Sequence, residues 1–278
     1  MSNTQTTHSE APTAVFGPVT GDIYESQMGR WSRRLAEPFL DFVSVNLHNA
    51  AALDVGCGTG SLSFAVARRD STVSVTGCDI SETLLAHARG STPYPDRIRF
   101  EPGNACALPF SDRSFDLVLS SLVLMFVPNG ALAAREMARV TKPGGIVAAA
   151  TWDLRGGVTI TRMLSDTVVG LGVPGAESWR ARFLGGPGVR PGALTTLWRG
   201  ADLRNVREAQ ITIRMDFVNF ADFWDSTSQG PILPGLLHGL APHWQERVRS
   251  AVESAFLLAE ADGPRSFAAT AWVVTGMR

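Results

Sequence analysis

The residues best suited to chemistry lie in one stretch, Leu53-Asp54-Val55-Gly56-Cys57-Gly58-Thr59-Gly60. A short apolar run leads into three glycines at alternate positions, and a helix-forming segment follows. Glycine belongs where the backbone turns tightly with positive φ and lets a ligand come close. The helix after such a turn presents N–H groups with no internal partner. An acidic residue, Asp79, closes the next apolar run in Gly77-Cys78-Asp79-Ile80, 19 positions past Gly60. That matches the ~20 residues between a glycine loop and the carboxylate that meets a nucleotide's ribose. A carboxylate there can accept two hydrogen bonds from a vicinal diol. The alternative is a plain glycine-rich turn between strand and helix, against which Asp79 weighs. The loop is Gly-x-Gly-x-Gly, not the Gly-x-Gly-x-x-Gly usual in dinucleotide folds. No phosphate loop ending in Gly-Lys-Ser/Thr occurs.

These residues need strands and helices to hold them. Ala51–Val55 reads as a buried strand, Leu62–Ala67 as a helix and Thr72–Gly77 as a β-branched strand. Ser81 is a suitable N-cap for a helix over Glu82–Arg89. Arg97–Glu101 and Ser114–Leu119 read as strands. Asn129 can cap a helix with Ala133, Met137 and Val140 on one face, and the turn Lys142-Pro143-Gly144-Gly145 leads into a strand at Ile146–Ala150. Upstream, Phe39, Phe42, Val43 and Leu47 have helical spacing, with Pro38 suited to the first turn. Strands alternating with helices over about 100 residues predict a parallel sheet covered on both faces. Late strands, at Ile211–Met215 and Ser266–Thr275, predict an antiparallel edge. Gly170–Gly192, rich in Gly and Pro, and Phe217–Asp262, aromatic and then helical, read as cap material over the C-terminal edge of the sheet, where open α/β folds bind ligands.

That placement puts Met125, Phe126, Trp152, Phe223 and Trp224 at the mouth of a pocket for a flat or apolar molecule, with ordinary core packing as the alternative. Trp224 is the best single candidate to hold such a molecule and exclude water. His238 is the nearby group able to take a proton near neutral pH, with a surface or capping role as its alternative. His87 falls on the second helix, away from chemistry. Cys57, Cys78 and Cys106 lie near strand ends, and Cys57 is the usual residue of its glycine motif.

Taken with its surroundings, the glycine loop resembles that of the class I S-adenosylmethionine-dependent methyltransferases. Leu-Asp-Val-Gly-Cys-Gly-Thr-Gly followed by Gly-Cys-Asp-Ile-Ser carries the likeness. Gly103-Asn104-Ala105-Cys106-Ala107-Leu108-Pro109-Phe110, Ser114-Phe115-Asp116-Leu117-Val118 and Arg139-Val140-Thr141-Lys142-Pro143-Gly144-Gly145 narrow it to the type 11 branch, which includes ubiquinone- and menaquinone-type enzymes. The resemblance covers residues 22–153, and more loosely Phe220–Trp224 and the last strand. It implies that Gly56, Cys57, Gly58 and Gly60 line the methionine part and ribose of S-adenosylmethionine, and that Asp79 holds the ribose diol. It also implies that Ile80 flanks the adenine, that Asn104 and Ala105 meet the adenine edge, and that Ser121 faces the methionine moiety. Many members of the branch have Asp where Asn104 stands. Tyr24-Glu25-Ser26-Gln27-Met28-Gly29-Arg30-Trp31-Ser32 resembles a lid element of some type 11 proteins. Tyr24 and Met28 would then border the cofactor, and Arg30 would pair with its carboxylate in bidentate fashion. An amphipathic helix packing Trp31 into the core is the alternative.

The expected fold is α/β: a doubly wound, mostly parallel, seven-stranded Rossmann-like sheet with an antiparallel edge strand, plus helical cap segments. Residues 1–20 are expected to form a flexible tail and 21–278 a single methyltransferase domain. Within it, 21–50 would be a helical lid, 51–153 the cofactor-binding core, 154–204 and 217–262 the cap and substrate segments, and 205–216 and 264–276 the terminal strands.

Composition trims the functions this fold could host. Net charge is -1, from 25 basic and 26 acidic residues, and Lys142 is the one lysine, so nothing marks a nucleic-acid or anionic-lipid surface. Phe115–Val127, the longest nearly apolar run, is shorter than the ~20 residues of a membrane span. Three cysteines make neither a disulfide framework nor a zinc pattern, and no metal is expected. With no Asp/Asn-Pro-Pro-Tyr/Phe after the fourth strand, methylation of nucleobase or glutamine amines is not indicated. The reading is therefore a cytoplasmic enzyme that methylates a small organic acceptor by in-line displacement. Its rivals are a non-catalytic cofactor-binding protein of the same fold and a nicotinamide-dependent oxidoreductase.

Overall fold

The computed structural model describes residues 20–186, 188–228 and 234–278. The expected tail, but for Thr20, lies outside them. The chain opens with a short helix α1 (Gly21–Tyr24), a π-helical turn (Glu25–Gly29) and α2 (Arg30–Val43). Pro38 sits inside α2, not in its first turn. The apolar stripe starts earlier than Pro38 suggested, with Trp31 and Leu35 buried alongside Phe39 and Val43. Proline in a helix interior removes one backbone hydrogen bond, and here burial of this stripe outweighs that loss.

The alternating core follows as β1 (Ala51–Val55), α3 (Ser61–Arg69), β2 (Ser74–Asp79), α4 (Glu82–Ser91), β3 (Ile98–Pro102) and β4 (Phe115–Ser121). After a 3₁₀ turn at Leu124–Phe126 come α5 (Gly130–Val140) and β5 (Thr141–Trp152). The caps read from sequence are present: Ser81 Oγ accepts the Leu84 N–H and Asn129 Oδ1 accepts the Leu132 N–H. Beyond the core lie α6 (Thr159–Gly170), α7 (Ala176–Leu184), α8 (Ala193–Gly200), β6 (Arg204–Phe217), α9 (Phe220–Ser228), α10 (Pro234–Leu237), α11 (Pro242–Leu257) and β7 (Arg265–Met277).

Seven strands form one sheet in the order β3-β2-β1-β4-β5-β7-β6. The first five are parallel, and β7 runs antiparallel to both β5 and β6. The antiparallel strand thus lies one place in from the edge, and β6 forms the edge itself. Alternate residues feed two apolar layers: Leu117 and Leu119 of β4 pack into one, Val118 into the other. Helices α7 and α8 lie within the expected cap segment 154–204. Gly170–Gly192 contains α7, and α8 covers a sheet face with Leu194 and Trp198 fully buried. Trp198 Nε1 donates to the Val147 carbonyl of β5 at 2.9 Å, which ties α8 to the sheet.

The topology dictates where a ligand goes. From β1 the chain builds outward through β2 and β3, then returns to the other side of β1 for β4 and β5. The connections leaving β1 and β4 diverge, opening a crevice beyond their C-terminal ends. The glycine loop follows β1 and Ser121 ends β4.

Candidate functional site

The loop after β1 is turned by one carbonyl. Gly56 N–H and Cys57 N–H both donate to the Cys78 oxygen, at 2.7 and 3.1 Å, and Gly60 N–H donates to the Cys57 oxygen at 2.9 Å. Gly56 and Gly58 have φ of +74° and +54°, a region that disfavours a β-carbon. A β-carbon on Gly56 would also stand 2.4 Å from Val123.

Asp79 closes β2 and faces this loop. Its Oδ2 accepts the Gly58 N–H and its Oδ1 the Ser81 N–H, both at 2.9 Å. Each oxygen keeps a further lone pair for a diol. Burial raises the Asp79 carboxyl above its ordinary value, against the lowering effect of these N–H donors. Beneath the loop, Asp54 is fully buried and accepts the Ser63 hydroxyl at 2.7 Å. Burial pushes its carboxyl up to about 7. It serves as an internal strut between β1 and α3.

Around this pair, several surfaces fit a nucleoside. Ile80, directly after Asp79, is 62% exposed, an unusual position for an isoleucine beside a crevice. Asn104 Oδ1 accepts the Cys106 N–H at 2.9 Å, which fixes the amide's orientation and leaves its NH₂ to donate. Ala105, next to it, is half-buried. Ser121 Oγ is buried without a hydrogen-bond partner, an expensive state unless a bound molecule supplies one. The donor set, the open isoleucine and the orphaned hydroxyl all suit S-adenosylmethionine. Cys57 is buried, and burial holds its thiol well above the usual range.

The N-terminal segment folds over the loop. Tyr24 Oη stands 3.3 Å from where a Gly58 β-carbon would be, and burial raises its hydroxyl further above its ordinary value. Glu25 bonds the Thr59 hydroxyl and the Arg33 guanidinium, fastening the segment to the loop. Nothing in the sequence around Glu25 flagged that contact, which joins residues 34 positions apart. Arg30 is placed differently from expectation. It donates to both carboxylate oxygens of Asp222 on α9, at 2.9 and 3.2 Å, and lies 4.3 Å from the Trp31 ring centre. Only Nη1 makes these contacts, and Nε and Nη2 are buried without a hydrogen-bond partner.

Beside the crevice lies an apolar cavity of about 40 Å³, walled by Met28 and Trp31, Met125 and Phe126, Trp152, Phe183 and Phe217. Met125, Phe126 and Trp152 were expected there. Phe223 and Trp224 are not on the wall. Phe223 is fully buried among Phe217, Phe220, Phe256 and Phe267. Trp224 packs on Phe220, with ring centres 6.0 Å apart. Ser226 and Thr227, one turn further along α9, meet the cavity instead. His238 is exposed in the turn after α10 and does not line the cavity. Phe217 and Thr161 were not foreseen as wall residues, since a strand-end Phe and a helical Thr look like ordinary packing. Among the described residues no group of three or more His, Cys, Asp or Glu could hold a metal, and no helix is long and apolar enough to cross a membrane.

A sheet of this order, with a glycine loop after β1 and a carboxylate ending β2, defines the class I S-adenosylmethionine-dependent methyltransferase fold. Residues 53–149 match the family model described as "Methyltransferase domain", of type 11. Demethylmenaquinone methyltransferase of Staphylococcus aureus (strain MRSA252) is 43% identical over 97 residues, 34% of this chain and 40% of that one. The chain therefore spans about two fifths of the length of this curated relative. A putative methyltransferase from Bacillus halodurans C-125 superposes with a TM-score of 0.54 at 16% identity, covering 87% of this chain and 97% of that one. Haemonchus contortus phosphoethanolamine N-methyltransferase 2, in complex with S-adenosyl-L-methionine, gives 0.55 at 13% identity over 94% of this chain and 60% of that one.

Proposed function

We propose that the protein transfers a methyl group from S-adenosylmethionine to a small, flat or apolar acceptor held in the cavity beside Trp152. The observation that carries this is the Asp79 carboxylate bonded to Gly58 N–H at 2.9 Å, beyond the strands where the topology opens. Asp79 holds the ribose diol, while Gly56, Cys57, Gly58 and Gly60 let the backbone approach the ribose and methionine part. Ile80 covers one adenine face, and Asn104 with Ala105 meets its edge. Ser121 Oγ binds the methionine moiety. Tyr24 and Met28 close the N-terminal segment over the loop and keep water out.

When bound, the cofactor supplies a methyl group already activated on a sulfonium. The chain then has to hold the acceptor on axis, and positioning alone can account for most of the rate. The shared segment with a demethylmenaquinone methyltransferase supports a flat acceptor of this kind. Neutral overall charge favours a small molecule over nucleic acid. Two buried cysteines and one partly buried, none in a disulfide, fit the reducing cytoplasm.

Calorimetry with S-adenosylhomocysteine, oxidised and reduced nicotinamide dinucleotides, followed by transfer of a labelled methyl group to extracted small metabolites, tests the reading. Binding of the homocysteine compound alone and label in an organic-soluble product are expected. Tighter dinucleotide binding, or cofactor binding with no labelled product, would overturn it in favour of the oxidoreductase or the non-catalytic protein.

A further inference from the structure

On the proposed cofactor reading, a ligand reaches the glycine loop only past the end of α1 and the π-helical turn Glu25–Gly29. Tyr24 puts its hydroxyl 3.3 Å from the place a Gly58 β-carbon would take, so its ring lies on the surface that the glycine leaves open. Gln27 and Met28, in the turn itself, line the apolar cavity. One short turn therefore borders both the loop and the cavity. Its π-helical winding is rare in proteins and frequent at functional sites.

Contacts of unequal strength hold this segment. Ahead of the turn, Asp22 meets His87 of α4 at 3.7 Å, but the aspartate is 95% exposed and water screens the pair. Behind it, buried Trp31 and the Arg30 contact to Asp222 pin α2 in place. Between them, Glu25 reaches the loop. Thr59 Oγ1 donates to Glu25 Oε1, and Arg33 Nη1 donates to Oε2. The Glu25 side chain is 22% exposed and Thr59 is buried, so this charge-assisted contact is the less screened of the two that hold the turn's own side of the hinge.

Gly29 supplies an independent observation. Its φ is -57°, an ordinary helical value that any residue adopts, so the backbone does not call for glycine. A β-carbon at this position would stand 2.5 Å from the carboxyl carbon and from both oxygens of Glu25. Glycine thus leaves the notch in which the Glu25 carboxylate lies. Thr59, Arg33 and Gly29 all agree on one place for that group.

We infer that Glu25 is the latch of a gate: the turn closes over the glycine loop through Glu25 and Thr59, and the cofactor enters or leaves only when that contact breaks. Glu25 touches no ligand in this arrangement and is a positioning residue. The latch holds the closed turn whether the crevice is empty or filled. Breaking it therefore raises the open fraction of both states by the same factor. Entry and exit accelerate together while the equilibrium affinity is kept. Loss of a residue that binds the cofactor does the opposite and lowers affinity.

The association and dissociation rates of S-adenosylhomocysteine on the whole chain test this, together with amide hydrogen exchange of residues 24–30 without ligand. Glu25→Ala should raise both rate constants about fivefold or more and keep their ratio within about threefold. Thr59→Val, which keeps the branched shape and loses the donor, should act alike. Gly29→Ala should also speed both rates, by pushing the carboxylate from its notch, yet add nothing to Glu25→Ala, in which the notch is empty. Ligand-free exchange across the turn should quicken in Glu25→Ala and Thr59→Val. Unchanged rates, affinity lost without faster association, additive effects of Gly29→Ala and Glu25→Ala, or unchanged exchange would each overturn the inference. Wild-type protein that binds no S-adenosylhomocysteine, while its exchange still answers to Glu25→Ala, would strike the methyltransferase reading and support the latch.

Discussion

The Asp79 carboxylate and the Gly58 N–H are joined at 2.9 Å, so the residue that ends β2 also sets the loop that ends β1. One side chain thereby shapes the loop, and in the proposed reading it also accepts the ribose diol. Asp79→Ala removes both contributions, together with the acceptor for the Ser81 N–H. Affinity for S-adenosylhomocysteine should fall at least tenfold, ~1.4 kcal/mol, while the protein stays folded. Asp79→Asn keeps one oxygen acceptor and should lose less. Calorimetry on both variants, with circular dichroism to check folding, gives the answer; a folded Asp79→Ala protein of unchanged affinity would detach Asp79 from the ribose.

Asp54 makes a separate prediction about pH. Its carboxyl rises from 3.8 to about 7 on folding because it is buried. Between those values the folded state binds a proton that the unfolded state has released, so stability falls as pH rises through this window. Below it both states are protonated and nothing is lost. The full effect is at most about 4 kcal/mol. Asp54→Asn keeps an oxygen for the Ser63 hydroxyl and removes the titration. Urea unfolding at pH 5, 6, 7 and 8 should show the variant gaining on wild type as pH increases, and a constant difference would deny the buried proton.

Ser121 allows binding and stability to be separated by sign. Its hydroxyl is buried and unpartnered, a state that costs roughly 1–3 kcal/mol. Ser121→Ala relieves that cost without ligand, so the unliganded protein should melt at the same or a higher temperature. The same change removes a contact to the cofactor, so affinity should drop about threefold or more. Thermal melts with and without S-adenosylhomocysteine report both effects. A variant that is less stable alone and binds normally would show that Ser121 serves the fold.

The half of the site proposed to hold the cofactor was legible in the sequence because its residues are local. The turn after β1 demands glycine at particular positions, and Asp79 and Asn104 sit at strand ends that alternation predicts. The cavity proposed for the acceptor was legible only in part. Its walls come from α6, α7, α9, β6 and the N-terminal segment, and no spacing rule links Met28 to Thr161 or Phe217. Trp224 looked like a pocket residue by type, yet the aromatic cluster around Phe220 claims it. Pro38 pointed to a helix start because proline suits a first turn, whereas the buried stripe from Trp31 decided where α2 begins.

Arg30 and Asp222 are 192 residues apart in sequence, and their pairing links α2 to α9 across the cavity's edge. Side chains only 24% and 28% exposed make this more than a solvated surface pair. Asp222 also accepts the Val218 N–H at 3.0 Å, which anchors the start of α9. Arg30→Lys withdraws the one nitrogen, Nη1, that meets Asp222 and loses the planar group lying over Trp31. It should lower stability by about 1.5–3 kcal/mol, the range for hydrogen bonds to charged groups, and Asp222→Asn should do much the same. In a double-mutant cycle the two losses should fall well short of adding, because either change breaks the same pair. Cofactor affinity in both variants should stay within threefold of wild type if the guanidinium serves only Asp222. A tenfold loss of S-adenosylhomocysteine affinity in Arg30→Lys, with Asp222→Asn binding normally, would return Arg30 to the cofactor's carboxylate and make the Asp222 contact a resting position.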